Sequence, residues 1–318
     1  MIVFPHAKIN LGLRITGREQ NTKREDTSNG REKSNPGRKN ASNGRRERIA
    51  GKAANHGYHT IETLLYPVGL YDVLEAIPAP DQQVTFKQSG IPLPDDGKPN
   101  LCLRAHNLLK ENIRQRTGHH IPPVHIHLLK KIPAGAGLGG GSSDAAFMLL
   151  LLNELFRLDL PTKELTSLAG QLGSDCPFFI HKQPMLASGR GNILHPAPGL
   201  SLNRYKLLIV IPPVHISTAE AYRLVAPAEP EQSPADLYRK PLKTWQDQMV
   251  NDFEDTIFRT HPRLKKIKET LLEKGATYAS MSGSGSAIYG FFPHTPPADE
   301  LRLLLPGCKI EEAPHPVS

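Results

Sequence analysis

The stretch Lys131–Asp144, KIPAGAGLGGGSSD, places five glycines between a proline and a pair of serines. Before it, Val124, Ile126 and Leu128 alternate with His125, His127 and Leu129, the period of a half-buried strand. After it comes Ala145–Leu152, the longest apolar run in the chain. The spacing predicts a strand, a glycine loop and a buried helix, in that order. Glycine leaves backbone N–H groups uncovered, and the start of a helix adds partial positive charge, so the natural guest of such a loop is phosphate.

Three phosphate-binding patterns compete for it. The pattern GxxxxGK[ST] needs a Lys before the serines, where Gly141 stands, and the HRD and DFG segments of a protein kinase are absent. GAGLGG at 135–140 does satisfy the GxGxxG of a dinucleotide site, and Asp159 lies near the spacing of a ribose-binding acid. An NAD-dependent oxidoreductase is therefore one alternative. It leaves AKINLGL at 7–13 and the small-residue loop Ser280–Ser286 without a role.

At 318 residues and 38% hydrophobic content the chain can fill one large core or two ordinary ones. A break in composition near 185–200 divides it into expected domains at 1–190 and 191–318. Much of the formal charge of +8 is local: residues 17–56 carry eleven Lys/Arg against five Asp/Glu and no aromatic residue. Such a segment buries too little surface to offset its ordering entropy, which predicts a disordered, solvated insertion. An RNA-binding module would have to rest on it, and no nucleic-acid partner is expected. Removing it joins two β-rich segments, so it interrupts a hairpin or its loop. Further elements are expected as helices at 101–116 (N-cap Asn100), 161–171 and 262–274, strands at 205–211 and 287–292, and a proline-rich surface loop at 226–241. Strands and helices mix without a regular βαβ count, which gives an α+β class.

Three cysteines without a CxxC pair suggest neither a disulfide framework nor a zinc ribbon. No charged leader precedes a long apolar core, and no run is long enough for a bilayer, so a cytoplasmic protein without a membrane partner is expected. His125 and His127 lack a Cys or carboxylate at ligand spacing and read as a solvent-facing pair. Cys176, followed by Pro177 and two Phe, reads as packed and inert.

PAGAGLGGGSSDAA and SMSGSGSAIYGFF resemble the ATP-phosphate loop and the C-terminal glycine motif of the GHMP kinase superfamily. AKINLGL, GYHTIETLLYPVGLYD at 57–72 and GSDCPFFI at 173–180 are similar, more narrowly, to a branch that phosphorylates the 2-hydroxyl of a cytidine-diphosphate-linked methylerythritol in the non-mevalonate isoprenoid pathway. The resemblance covers essentially the whole chain outside 17–56. It implies an N-terminal domain like domain 2 of ribosomal protein S5, a ferredoxin-like C-terminal domain, and a site between them using ATP and Mg²⁺. It implies a small-molecule substrate and a monomer or homodimer.

By the same resemblance, Asp175 is the general base and Lys8 the cation that orients it and stabilises the forming alkoxide. Pro133, Ala134, Gly135, Ala136, Gly137, Leu138, Gly139, Gly140, Gly141, Ser142 and Ser143 would hold the nucleotide, with Asn100 nearby and Ser143 on the metal. Asn10, Tyr58, His59 and Tyr222 fall on the substrate side: Tyr58 stacks the cytosine, His59 bonds it, and Tyr222 forms a second aromatic wall. His56 stands where this branch commonly has Asp, which bears on how the substrate edge closes. Another GHMP kinase with a different alcohol is the neighbouring alternative, and Tyr58-His59 is what separates the two.

Overall fold

The computed structural model describes residues 1–18, 59–93, 97, 99–225, 227 and 232–315. The first sheet is built from β1 (Ile2–Val3), β4 (Val73–Pro78), β6 (Val124–Lys130) and β5 (Thr85–Gly90), in that spatial order, with β5 parallel to β6 and the other pairs antiparallel. Its inner face, including Leu74, Ala76, Val124, Ile126 and Leu128, packs on the helices α1 (Leu101–Thr117), α2 (Gly140–Leu155) and α3 (Thr162–Leu172). Helix α2 is apolar nearly all round because it is covered nearly all round: Ala145, Met148, Leu149, Leu151 and Leu152 are fully buried. Helix α1 starts where expected, with Asn100 Oδ1 accepting the Cys102 N–H at 2.8 Å.

The second sheet has the order β2 (His6–Arg18), β3 (His59–Tyr71), β7 (Met185–Ser188), β8 (Ile193–Pro196). Strands β2 and β3 pair from His6↔Tyr71 out to Arg18↔His59, so the expected insertion enters at the open end of a hairpin; beyond Arg18 it lies outside the described residues. The short helix α4 (Cys176–His181) leads into β7. The expected boundary at 190/191 falls inside the β7–β8 hairpin, and the chain leaves this sheet only after Pro196.

The remainder runs β9 (Lys206–Ile211), α5 (Thr218–Leu224), α6 (Pro234–Leu237), α7 (Glu254–Thr260), α8 (Pro262–Glu273), β10 (Tyr278–Met281), β11 (Ile288–Phe292), α9 (Ala298–Leu304) and β12 (Lys309–Glu312). The antiparallel order β12-β9-β11-β10 is the ferredoxin-like arrangement. Period-2 alternation divides its residues: Leu207, Ile209, Tyr289 and Phe291 meet Ile9, Leu11, Leu64 and Tyr66 of the second sheet. Leu208, Val210 and Ile288 meet Leu264, Ile267 and Leu271 of α8.

Of the expected surface loop at 226–241, residues 226 and 228–231 lie outside the described residues, and the part from Ser233 onward departs from the expectation. Ser233 and Asp236 form a capping box around the turn α6, and Leu237, Tyr238, Leu242 and Trp245 are buried in the core between the second and third sheets. Pro234 opens the helical turn, a position that suits proline, and the apolar residues behind it have a sheet face to cover. Near the C-terminus, Gly69 N–H donates to the Pro314 carbonyl at 2.7 Å, and the His315 ring joins the Tyr66 hydroxyl and the Tyr205 carbonyl. Among the described residues, no helix is long and apolar enough to cross a membrane.

Candidate active site

The loop between β6 and α2 adopts left-handed backbone at Gly135, Gly137 and Gly139, with φ of 70°, 77° and 71°. Ala136 and Leu138, between them, are buried and anchor it. Its carbonyls are satisfied from outside: Leu138 O accepts the Lys8 N–H at 2.9 Å, Ala136 O the Ala287 N–H at 3.1 Å, and Gly137 O the Ser282 hydroxyl at 2.8 Å. The first N–H groups of α2 have no partner within the helix, the arrangement that suits a phosphate. A Cβ on Gly137 would lie 2.0 Å from the Ser282 carbonyl oxygen, so the two glycine motifs touch backbone to backbone. That contact gives the loop Ser280–Ser286 its role.

A cleft of about 360 Å³ opens between these loops, within the range of small-molecule sites. Lys8, Asn10, Asp175, Ser142, Tyr222 and Ser284 are on its wall, together with Pro133, Ala134 and Gly135, Gly137, Gly139, Gly140 and Gly141. Lys8 Nζ is buried on β2, 2.6 Å from Asn10 Oδ1 and 3.6 Å from Asp175 Oδ2. Asn10 is held in turn: its Nδ2 donates to Thr63 Oγ1 at 3.1 Å, and that hydroxyl donates to the Gly12 carbonyl. Burial lowers the Lys8 pKa, and the Asp175 carboxylate opposes the shift. Asp175, at the start of α4, is 42% exposed. An ammonium group behind and a carboxylate at the mouth can hold an alcohol oxygen and accept its proton.

His59 and Tyr222 stack with ring centres 5.1 Å apart at 30°, and Tyr222 meets Phe253 edge-on at 4.9 Å. Burial, reinforced by Asp175, pushes the Tyr222 phenol up to about 12. Tyr58 and His56 lie outside the described residues.

Other expected residues are placed differently. Ser143 is fully buried and its hydroxyl donates to the His6 carbonyl at 2.7 Å, so Ser142 is the serine on the cleft wall. The Asn100 side chain is committed to capping α1, and its neighbour Leu101 lines the cleft. Asp159 is exposed beyond the far end of the 16-residue helix α2, about 24 Å from the loop, too far to share a ligand with GAGLGG. That removes the dinucleotide reading. Cys176 is buried, its thiol pushed up to about 11, and His125 and His127 bond Thr85 and Ser89 on the outer face of the first sheet. Among the described residues, no group of three or more His, Cys, Asp or Glu could hold a metal ion.

Two supports went unread in the sequence. Asn251 Nδ2 donates to the carbonyls of Met281 and Gly283, both at 2.8 Å, and so pins the second glycine loop. Beneath the first, Lys130 joins Asp72 and Asp144 in a buried cluster. The one available signal was a charge, Asp144, at the head of an otherwise apolar helix.

Comparison with known proteins gives the following. The family model for the GHMP kinases N terminal domain matches residues 100–183, and that for the GHMP kinases C terminal matches 235–304. The 4-diphosphocytidyl-2-C-methyl-D-erythritol kinase of Parabacteroides distasonis is 44% identical over 292 residues, 92% of each chain. That of Bacteroides thetaiotaomicron is 43% identical, again over 92% of each. A crystal structure of 4-(cytidine 5'-diphospho)-2C-methyl-D-erythritol kinase superposes with a TM-score of 0.71 at 29% identity, covering 99% of both chains. The Methanococcus jannaschii mevalonate kinase, at 16% identity and a TM-score of 0.67, covers 100% of this chain and 98% of its own, and shares the fold.

Proposed function

Because the chain belongs to the GHMP kinases and, within them, to the 4-diphosphocytidyl-2-C-methyl-D-erythritol kinase family, we propose that Asp175 is the general base and Lys8 the cation of its phosphoryl transfer. The activity is ATP-dependent phosphorylation of 4-diphosphocytidyl-2-C-methyl-D-erythritol in isoprenoid biosynthesis. The observation that carries the assignment is the Lys8–Asp175 pair at 3.6 Å, opposite the glycine loop in one cleft.

Phosphoryl transfer asks a protein mainly for positioning and electrostatic complementarity. The glycine loop and the first turn of α2 supply N–H donors for the phosphates. Asp175 accepts the proton of the substrate's 2-hydroxyl as the new bond forms, and Lys8 stabilises the oxygen that loses it. Asn10 keeps Lys8 aimed. His59 and Tyr222 offer a flat wall for the cytosine, with Tyr58 as the neighbouring ring. Mg²⁺ bound with nucleotide usually keeps several waters and needs only one or two protein oxygens, which the Ser142 hydroxyl on the cleft wall fits. There it would neutralise charge on the phosphates. In this reading the partners are small molecules, and neither a polynucleotide nor a membrane nor more than one copy of the chain is required.

Purified protein given Mg-ATP and the cytidylyl substrate should release ADP. Lys8→Ala and Asp175→Asn should each lower kcat on the order of 10²–10⁴-fold. Wild-type turnover no faster than the Lys8→Ala control would overturn the assignment.

A further inference from the structure

A second cavity, of about 320 Å³, opens between the β8–β9 connection and the segment that follows α6. It shares no lining residue with the catalytic cleft. A buried aromatic column joins the floor of one to the wall of the other: Trp245 meets Tyr278 edge-on at 5.7 Å, Tyr278 meets Tyr289 at 6.1 Å, and the Tyr289 hydroxyl donates to the Asn10 carbonyl.

The lining of this cavity is cationic. Arg204, Arg239 and Lys240 all reach it, and among the described residues no Asp or Glu does. The Arg239 guanidinium is held in advance, its carbon 5.1 Å from the centre of the Tyr238 ring and its Nε donating to the Tyr238 hydroxyl at 2.9 Å. That tether leaves the two terminal nitrogens for a ligand. Lys240 Nζ donates to neutral acceptors, Gln232 Oε1 at 3.0 Å and Gln248 Oε1 at 3.5 Å, so its charge is not cancelled. None of the three cations forms an ion pair among the described residues.

Three cations around one concavity repel one another, and an anion carrying two or more charges relieves that repulsion better than a single carboxylate. Guanidinium forks match phosphate oxygens two at a time, and Ser201 brings a hydroxyl to the same wall. We propose that this cavity is a second anion site, separate from the ATP cleft, that takes the phosphate or diphosphate group of a small molecule. A polynucleotide fits it poorly, because the rings on which bases would stack are covered: Tyr238 is 5% exposed and Trp245 1%.

Trp245 is the single tryptophan of the chain, and its Nε1 donates to the Lys240 carbonyl at 3.0 Å, so its emission reports on this cavity. Titrating the full chain with pyrophosphate, at an ionic strength held constant with potassium chloride, should give a saturable change in that emission. Inorganic phosphate and glycerol phosphate are parallel arms. Tighter binding of the free anions assigns the site to inorganic phosphate or diphosphate, and tighter binding of the ester assigns it to a phosphorylated metabolite. Replacing all three cations, Arg204→Gln with Arg239→Gln and Lys240→Gln, should raise Kd at least about tenfold, while the melting curve, kcat and KM for ATP stay unchanged. No saturable change with any of the three anions at millimolar concentration would overturn the inference. So would a response that persists in the triple variant, which would place the binding in the ATP cleft, or a response to a thymidine oligonucleotide with none to pyrophosphate.

Discussion

Burial and the neighbouring carboxylate pull the Lys8 ammonium in opposite directions, and burial dominates. Because its folded pKa is lowered, the unfolded chain binds more protons between the folded pKa and the ordinary lysine value. Its contribution to stability therefore rises with pH through that window. With Lys8 in its proposed role, activity should do the reverse, since its ammonium is lost first there. A pH–kcat profile should show an alkaline limb below the ordinary lysine range, absent in Lys8→Met, whose residual rate should be flat. At the aromatic wall, Tyr222→Phe keeps the ring stacked on His59 and should change KM for the cytidylyl substrate less than threefold. Tyr222→Ala should raise that KM on the order of tenfold or more, following the ~1–3 kcal/mol of a base–aromatic stack, with KM for ATP unmoved. Lys8 and Asp175 could be singled out because short motifs surround them, and the structure brings their side chains to 3.6 Å. Which serine faces the cleft was not legible, because one helical position, about 100°, separates Ser142 on the cleft wall from Ser143 on the His6 carbonyl, and only packing decides between them.

Elements were legible where period and caps agree, and the glycine loop shows what lay beyond reach. Its conformation could be expected from composition, but what it rests against could not. Gly137 meets Ser282 across the cleft floor, and Asp72 reaches Lys131 from a strand junction about sixty residues away. Such contacts follow from tertiary placement and leave no local pattern. Gly137→Ala should therefore be far worse than a loop substitution: left-handed backbone costs an Ala ~1–2 kcal/mol, and the Cβ strikes a carbonyl that cannot move without parting the two loops. The expected outcome is a melting point lowered by several degrees together with loss of measurable ATP binding. In α2, Leu149→Ala should cost ~2–5 kcal/mol in denaturant titration without a selective change in either KM, because Leu149 faces only the core.

At the scale of the molecule, β2 and β3 close their ladder at Arg18↔His59, so the hairpin needs only a short connection there. Replacing residues 20–56 with an Asn-Gly turn, while keeping Tyr58, should leave the melting point within a few degrees and KM for ATP within twofold; loss of ATP binding would show that the segment serves the nucleotide site. The α+β class followed from the irregular mix of strands and helices, whereas the ferredoxin-like C-terminal domain was implied only by the family resemblance. The burial of Leu237, Tyr238, Leu242 and Trp245 was not legible, because prolines masked an apolar stripe whose covering sheet is made elsewhere.

The backbone N–H of Asn10 is bonded to Ser282, 272 positions away, and its carbonyl accepts the Tyr289 hydroxyl across 279. Contacts of that span form late in folding, after local helices and hairpins, because a long loop must close before they repay its entropy. On dilution from denaturant, far-ultraviolet ellipticity should thus recover well before turnover does. A partly refolded population will contain helices and strands in near-native amounts and still transfer no phosphate, which makes catalysis itself a clock for the last step of assembly.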